Sequence, residues 1–169
     1  MTLSVRLCGV LVCFLSMIPV TAWSLPVGAT APDFELQTAR GTPFSLQKYE
    51  GQKPVLLIFW TTWCPYCKQA FKEMDAFLAD YDPESLAVIG INSGWRDTVS
   101  RMQRFQEQYQ LDIPLAFDTD HRVSQKYAIQ GVPTIILVDQ NKEVVYSGHR
   151  LTRSLSAILK GIIHTDAEQ

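Results

Sequence analysis

Cysteine and histidine are scarce in this chain, which has four cysteines and three histidines among its 169 residues. Cys8 and Cys13 lie in an apolar N-terminal stretch, so Cys64 and Cys67 are the one pair left in the rest of the sequence. A zinc site built on a Cys-x-x-Cys pair needs two further ligands, and a small disulfide-stapled fold needs several pairs. The composition therefore favours neither class of protein.

The chain also has no excess of positive charge and no internal repeat or low-complexity linker. It carries 15 basic and 17 acidic residues, which gives a formal net charge of −2 at pH 7. Proteins that bind nucleic acid usually present a basic patch, so we expect no nucleic-acid partner. Because no linker divides it, the chain beyond the N-terminal stretch is predicted to form one domain over residues 25–169.

Residues 1–24 have the composition of a targeting segment. Arg6 is its one charged residue, and the run from Leu7 to Val20 is almost wholly apolar before the small residues around Ala22. A positively charged start, an apolar middle and a small-x-small end are typical of a secretory signal peptide. We therefore predict a protein of the periplasm or another extracytoplasmic compartment, with this segment either cleaved or kept as an N-terminal membrane anchor.

The most informative motif is Cys64-Pro-Tyr-Cys67, which follows the apolar run from Val55 to Trp60. Two sulfurs three residues apart on a first helical turn can close a disulfide without moving the backbone. Pro65 suits the first position of a helix and so places Cys64 at or beside the N-cap, where the helix dipole favours a thiolate. We predict that Cys64 attacks and Cys67 resolves. A static bridge across so short a loop would stabilise the fold little.

Hydrophobic patterning predicts strands that alternate with helices. The run Val55–Trp60 has no polar residue, which indicates a strand buried on both faces, and the helix that begins at Pro65 is predicted to continue to about Asp80. Further strands are predicted at residues 85–92, 114–117, 133–138 and 143–147, further helices over 99–109, around 123–127 and from a cap at Thr152, and a hairpin at 33–46. This order describes an α/β fold with a mixed sheet.

Three segments give the chain a resemblance to the thioredoxin superfamily, and within it to the exported TlpA/ResA/CcmG-like thiol–disulfide oxidoreductases. They are Ala31-Pro32-Asp33-Phe34 with Gly41 and Leu46 in the N-terminal extension, residues 59–67 around the dithiol, and the cis-proline loop Gly131-Val132-Pro133-Thr134. The resemblance implies a thioredoxin-like fold. It would have a central mixed sheet flanked by helices, an N-terminal β-hairpin extension, and an inserted helix and strand within residues 95–117.

The same resemblance implies a function and its partners. The expected activity is the reduction of disulfides in exported proteins, such as cytochrome c precursors. A membrane thiol–disulfide carrier would supply the electrons, the protein would be a monomer, and no metal or organic cofactor would be needed. Trp63 would border the docking surface, while Pro133 in its cis form and the backbone of Val132 would hold the partner chain.

The sequence departs from its relatives at the position of a buried acid. Thioredoxins carry a carboxylate six residues before the first cysteine, where it assists proton transfer from the second, and the matching residue here is Ile58. The loop after the next strand, residues 92–97, has Asp97 as its one carboxylate. Asp97 or a water molecule is therefore the candidate to replace the missing acid.

The dipeptide Pro65-Tyr66 between the cysteines resembles that of glutaredoxins rather than the Gly-Pro of thioredoxins. Glutaredoxins have reduction potentials of about −200 to −230 mV, against about −270 mV for thioredoxin. By this resemblance we expect a dithiol that is somewhat less reducing than that of thioredoxin.

Two other functions use a similar set of residues. Copper-handling Sco-like proteins bind metal through two cysteines and a distant histidine, for which His121 or His149 would serve, but their cysteines are separated by three residues and these by two. Peroxiredoxins have a threonine three residues before the reactive cysteine, and Thr61 has that position. Cys67 would then be an unusually close resolving cysteine. Both alternatives stay open at this point.

Overall fold

The computed structural model of the chain describes residues 25–166. In chain order the elements are β1 (Glu35–Gln37), β2 (Pro43–Ser45), a 3₁₀ helix (Leu46–Tyr49), β3 (Val55–Trp60), α1 (Pro65–Leu78), β4 (Ala87–Asn92), α2 (Val99–Tyr109), β5 (Leu115–Phe117), α3 (Arg122–Lys126), β6 (Thr134–Val138), β7 (Val144–Gly148) and α4 (Arg153–Asp166). The predicted targeting segment, residues 1–24, lies outside the described residues. Within 25–166 no helix is both long and apolar enough to cross a membrane.

Five strands form the central sheet, in the order β5-β4-β3-β6-β7. β3 pairs in parallel with β4 and antiparallel with β6, so the sheet is mixed, which confirms the sequence prediction. Every residue of β3 is buried, because the strand is central and both of its faces are covered. Leu56, Ile58 and Trp60 face one layer of the core, and Leu57 and Phe59 face the other.

Helices cover both faces of the sheet. α1, α2 and α4 lie on the face of Ile58 and Trp60, where Phe71 of α1 and Phe105 of α2 pack against the indole ring of Trp60. The centroids of these two rings lie 4.9 and 4.8 Å from that of Trp60. α3 and the β1–β2 hairpin lie on the opposite face. α2 and β5 are the inserted helix and strand that the resemblance implies, and the hairpin extension is present as expected.

The N-terminal hairpin is anchored to the sheet through aromatic rings. Phe34 stacks on Phe44 with ring centroids 6.2 Å apart, and its edge contacts Tyr127 at 6.0 Å. The Tyr127 hydroxyl donates a hydrogen bond to the carbonyl of Pro32 at 2.8 Å. The hairpin is therefore part of the hydrophobic core rather than an appendage.

The chain on either side of the hairpin also pairs with the two outer strands of the central sheet. Thr38 forms an isolated bridge with Ala116 of β5. Thr30 forms another with Glu143, the residue directly before β7. The N-terminal extension thus contacts both edges of the sheet through backbone hydrogen bonds.

Two helices begin at the residues that the sequence predicted. Pro65 is the first residue of α1. At the start of α4 the Thr152 hydroxyl accepts a hydrogen bond from the amide of Leu155 at 3.2 Å, which is the expected N-cap contact. Both boundaries are local in sequence, which is why they could be predicted.

Other boundaries differ from the prediction. β4 begins at Ala87 rather than at residue 85, because the amide of Ser85 is still hydrogen-bonded within the preceding turn. α1 ends at Leu78, two residues before the predicted end. Leu46, predicted as the end of a strand, begins the 3₁₀ helix instead. A leucine here would be buried at the end of a strand just as it is in the 3₁₀ helix. The apolar pattern therefore does not distinguish the two conformations.

Gly90 makes room for packed side chains at the centre of the sheet. A Cβ atom at position 90 would lie 2.5 Å from Leu115 Cδ2 and 3.2 Å from Trp60 Nε1. Gly90→Ala therefore has to displace these groups, and we expect it to lower the free energy of unfolding by about 1–3 kcal/mol. Urea unfolding followed by circular dichroism measures the change.

Gly161→Ala is the matched control for this substitution. Gly161 is exposed on α4, and a Cβ atom there has nothing within 4 Å. We expect this variant to be neutral or to gain up to about 1 kcal/mol, because alanine restricts the unfolded chain and favours the helix. A Gly90→Ala protein that is as stable as the wild type would contradict the packing described above.

Candidate active site

The two cysteines lie where β3 ends and α1 begins. After Trp60 the chain makes a short turn in which the amide of Cys64 donates to the carbonyl of Thr61 at 3.3 Å, and the helix starts at Pro65. Proline has no N–H to pair, so it fits the first helical position and leaves Cys64 as the N-cap. The Cys64 sulfur accepts a hydrogen bond from the amide of Cys67 at 3.1 Å.

Cys64 and Cys67 are joined by a disulfide, and their Cα atoms lie 5.3 Å apart. Cys67 is fully buried and Cys64 is 2% exposed, whereas their neighbours Trp63 and Tyr66 are 51% and 70% exposed. Of the two cysteines, Cys64 is therefore the one with any exposed area, and it lies between these two exposed aromatic side chains in the sequence. In the reduced protein, the helix N-terminus favours a thiolate at the Cys64 sulfur.

The loop before β6 faces the disulfide. Its Val132–Pro133 peptide bond is cis, and the carbonyl oxygen of Val132 lies 3.5 Å from the Cys64 sulfur. The Thr134 hydroxyl donates to the carbonyl of Gly131 at 2.7 Å, which ties the loop to the first residue of β6. The structure thus brings the loop that was expected to hold a partner chain beside the dithiol.

A cavity of about 670 Å³ lies between α1, this loop and the segment after β7. Its lining residues are Tyr66, Gln69, Ala70, Glu73, Val132, Pro133, His149, Arg150 and Leu151. His149 is held in place there, since its Nδ1 lies 2.8 Å from the carbonyl oxygen of Pro133. Sequence patterning did not indicate Arg150 as a site residue, because the lining comes from three separate segments.

The 93–98 loop, which follows β4, borders the disulfide on the side opposite to this cavity. The indole N–H of Trp63 donates to the carbonyl of Trp95 in this loop at 2.7 Å. Trp95 is partly buried against the core layer that contains the hairpin and α3. The Trp63 side chain is therefore half exposed, while its indole N–H is held by the 93–98 loop.

The acid that thioredoxins bury has no counterpart at the predicted position, since Ile58 is fully buried among apolar side chains. Asp97, the candidate replacement, is engaged in hydrogen bonds instead. Its carboxylate accepts from the amide and the hydroxyl of Thr62, from the side chain of Asn92 and from the amide of Thr98. None of these four donors is a thiol. Because two of them belong to Thr62, Asp97 joins the 93–98 loop to the turn before Cys64.

The residues that the two alternative functions would use have the following surroundings. His121 Nδ1 lies 2.7 Å from the carbonyl oxygen of Ser93, and His149 is engaged with Pro133. Among residues 25–166, no group of three or more His, Cys, Asp or Glu side chains is arranged to hold a metal ion. The Thr61 hydroxyl, which has the position of the peroxiredoxin threonine, is buried and has no hydrogen-bond partner among residues 25–166.

Residues 27–147 match the family model described as the AhpC/TSA family. The chain belongs to this family. Two curated relatives share the name thiol-disulfide oxidoreductase ResA. That of Geobacillus kaustophilus is 32% identical over 121 residues, which cover 72% of this chain and 68% of the relative. That of Bacillus subtilis is 30% identical over 122 residues, which cover 72% and 66%.

A solved structure is similar over most of the chain as well. It is assigned as a thiol:disulfide interchange protein DsbE from Chlorobium tepidum, with a TM-score of 0.69 and 28% identity, and the match covers 84% of this chain and 98% of that one. Together with the Cys64–Cys67 disulfide, these similarities identify the chain as a thiol-disulfide oxidoreductase of the ResA/DsbE type with a thioredoxin-like fold. The resemblance seen in the sequence is confirmed.

His149 supports the cis-proline loop from the segment after β7. His149→Ala removes its hydrogen bond to the carbonyl of Pro133, a contact worth about 1 kcal/mol, which corresponds to about fivefold in an equilibrium constant. We expect the KM for a protein disulfide substrate to rise about fivefold with little change in kcat. Initial rates of insulin reduction over a range of insulin concentrations measure both constants.

His164→Ala is the control for this variant, because His164 is exposed near the end of α4. It should leave both constants unchanged. Equal KM values for His149→Ala and the wild type would show that the loop keeps its position without this hydrogen bond.

Proposed function

We propose that this protein is an extracytoplasmic protein-disulfide reductase that acts through Cys64 and Cys67. The observation that carries the proposal is the position of the Cys64 sulfur, which is at the N-cap of α1, bonded to the buried Cys67 and 3.5 Å from the carbonyl oxygen of Val132. A thiolate is stabilised at this position, and a resolving sulfur is one helical turn away. A partner chain finds a backbone acceptor directly beside it.

The reaction transfers two electrons from the reduced dithiol to a disulfide of the partner. The Cys64 thiolate attacks one sulfur of that disulfide, whose S–S bond breaks, and the other partner sulfur leaves as a thiolate that takes up a proton. Cys67 then gives up its proton and attacks the Cys64 sulfur of the mixed disulfide. The second partner sulfur leaves, also to be protonated, and the Cys64–Cys67 disulfide closes.

Partner docking is proposed on the exposed surface around Cys64. Trp63 and Tyr66 border this surface on either side of the sulfur and offer large apolar areas. The carbonyl of Val132 can accept a hydrogen bond from an extended partner backbone. Pro133 has no N–H that could compete with the partner for the thiolate.

The compartment and the electron donor are inferred from the N-terminal sequence. Residues 1–24 have the pattern of a secretory segment, and a dithiol in an oxidising compartment stays reduced only if electrons are delivered to it. A membrane thiol–disulfide carrier is therefore proposed as the donor. Disulfides of exported proteins, cytochrome c precursors among them, are the proposed substrates, and the domain of residues 25–169 is proposed to act as a monomer.

Cys64→Ser tests the enzymatic role. A serine hydroxyl has nearly the same shape but does not form a disulfide, so reduction of insulin disulfides should fall to the uncatalysed rate. Cys67→Ser is the matched variant, because it keeps the attacking sulfur and removes the resolving one. It should accumulate a mixed disulfide with the substrate that mass spectrometry detects and dithiothreitol removes. Full activity in Cys64→Ser would contradict the proposed function.

The reduction potential of the Cys64/Cys67 pair tests the direction of electron flow. The resemblance of Pro65-Tyr66 to glutaredoxins favours a potential of about −200 to −230 mV. Equilibration with glutathione buffers of known composition, followed by alkylation and mass spectrometry, gives the value. A potential near or above about −120 mV, typical of a strong oxidant, would contradict the proposal that the protein acts as a reductant.

A further inference from the structure

The carboxylate of Asp97 in the 93–98 loop holds the turn that precedes Cys64. Asp97 Oδ2 accepts hydrogen bonds from the amide of Thr62 at 2.6 Å and from Asn92 Nδ2 at 2.8 Å. Asp97 Oδ1 accepts from the hydroxyl of Thr62 at 2.8 Å and from the amide of Thr98 at 2.9 Å. Four donors from three residues therefore converge on this one side chain.

Asn92 anchors the carboxylate to the central sheet. It is the last residue of β4, it is fully buried, and its own Oδ1 accepts from the amide of Gly94 at 3.0 Å. The parallel pairing of β4 with β3 extends to the residue pair Trp60 and Asn92. Asp97 is thus fixed relative to β3, the strand that leads into the dithiol. Its carboxylate binds Thr62 from a residue that is not itself part of the turn.

These hydrogen bonds occupy the whole acceptor capacity of Asp97. A carboxylate has about four lone-pair positions, and all of them are used by the donors of Thr62, Asn92 and Thr98. Taking up the thiol proton of Cys67 would require one of these contacts to break. The arrangement favours a role in geometry over a role in proton transfer.

We propose that Asp97 is a positioning residue, which keeps Cys64 at the N-cap of α1 by fixing Thr62. The inference rests on the proposed function, in which Cys64 is the attacking sulfur. Thr62 lies two residues before Cys64, inside the turn that the hydrogen bond from Cys64 to Thr61 closes. If the turn loosens, the sulfur moves away from the amide of Cys67, now 3.1 Å away, and the thiolate loses that stabilisation.

Asp97→Asn and Thr62→Val separate the geometry of this contact from its charge. In Asp97→Asn an NH₂ group replaces one carboxylate oxygen. Whichever way the amide is turned, this NH₂ group faces an N–H donor, so hydrogen bonds are lost together with the negative charge. Thr62→Val keeps the charge of Asp97 and the shape of the side chain but removes the hydroxyl donor. Thr62→Ser keeps both donors and is the conservative control.

The pKa of the Cys64 thiol is the decisive readout, because it reports the N-cap geometry and needs no partner protein. In a Cys67→Ala background, the rate of alkylation by iodoacetamide is followed against pH, and the labelled peptide is identified by mass spectrometry. We expect the midpoint of the rate profile to rise by about one pH unit in Asp97→Asn and by about half a unit in Thr62→Val. Loss of negative charge alone predicts a fall in Asp97→Asn and no change in Thr62→Val.

The equilibrium with glutathione is the second readout, in the chain with both cysteines. A less stabilised thiolate favours the disulfide, and we expect about a tenfold change in the equilibrium constant for Asp97→Asn, which is about 30 mV toward a more negative potential. Asp139→Asn is the matched control. The Asp139 carboxylate likewise accepts backbone hydrogen bonds, from Asn141 at 3.0 Å and Glu143 at 2.7 Å, but in the turn between β6 and β7. It should leave both readouts unchanged.

Unchanged profiles for Cys64 in folded Asp97→Asn and Thr62→Val overturn the proposal. A loss of turnover with a normal Cys64 profile also overturns it, since that result assigns Asp97 to proton transfer. If circular dichroism shows that Asp97→Asn does not fold, the comparison of Thr62→Val with Thr62→Ser decides. Failure of the proposed function is recognised separately, because Cys64→Ser would then keep its activity whatever the Asp97 variants show.

Discussion

The hydrogen bond from the amide of Cys67 to the sulfur of Cys64 exists because a buried strand becomes a helix within four residues. Only the first turn of a helix has N–H groups without an intrahelical partner, so the sulfur meets one only at the N-cap. β3 sets the place of that turn, and its neighbours in the sheet and the core on both faces fix β3. The packing of a central strand thereby determines the surroundings of the nearly buried Cys64 sulfur.

The framework of the molecule could be predicted because its determinants are consecutive in the sequence. β3 is marked by an unbroken apolar run, α1 by the proline that opens it, and α4 by the Thr152 cap. The proposed roles of the cysteines rest on the same local signals. Where a local signal is ambiguous the prediction was wrong, as at Leu46, since a buried leucine has the same pattern in a strand and in a 3₁₀ helix.

Contacts between distant segments could not be predicted in this way. Asp97 is 35 positions from Thr62, and His149 is 16 positions from Pro133, yet each pair shares a hydrogen bond at the site. A polar residue in a loop has the same pattern whether it contacts solvent or a distant backbone group, so nothing local indicates its partner. The cis-proline loop was expected beside the dithiol only through the family resemblance.

The bridges that Thr30 and Thr38 form with the outer strands have a consequence beyond the reaction itself. An open sheet edge offers unpaired N–H and C=O groups to any extended chain, which is a route to aggregation. Because the N-terminal extension occupies part of both edges, fewer of these groups are open to pairing with another extended chain. The contacts that hold the extension on the sheet therefore also protect its edges from aggregation.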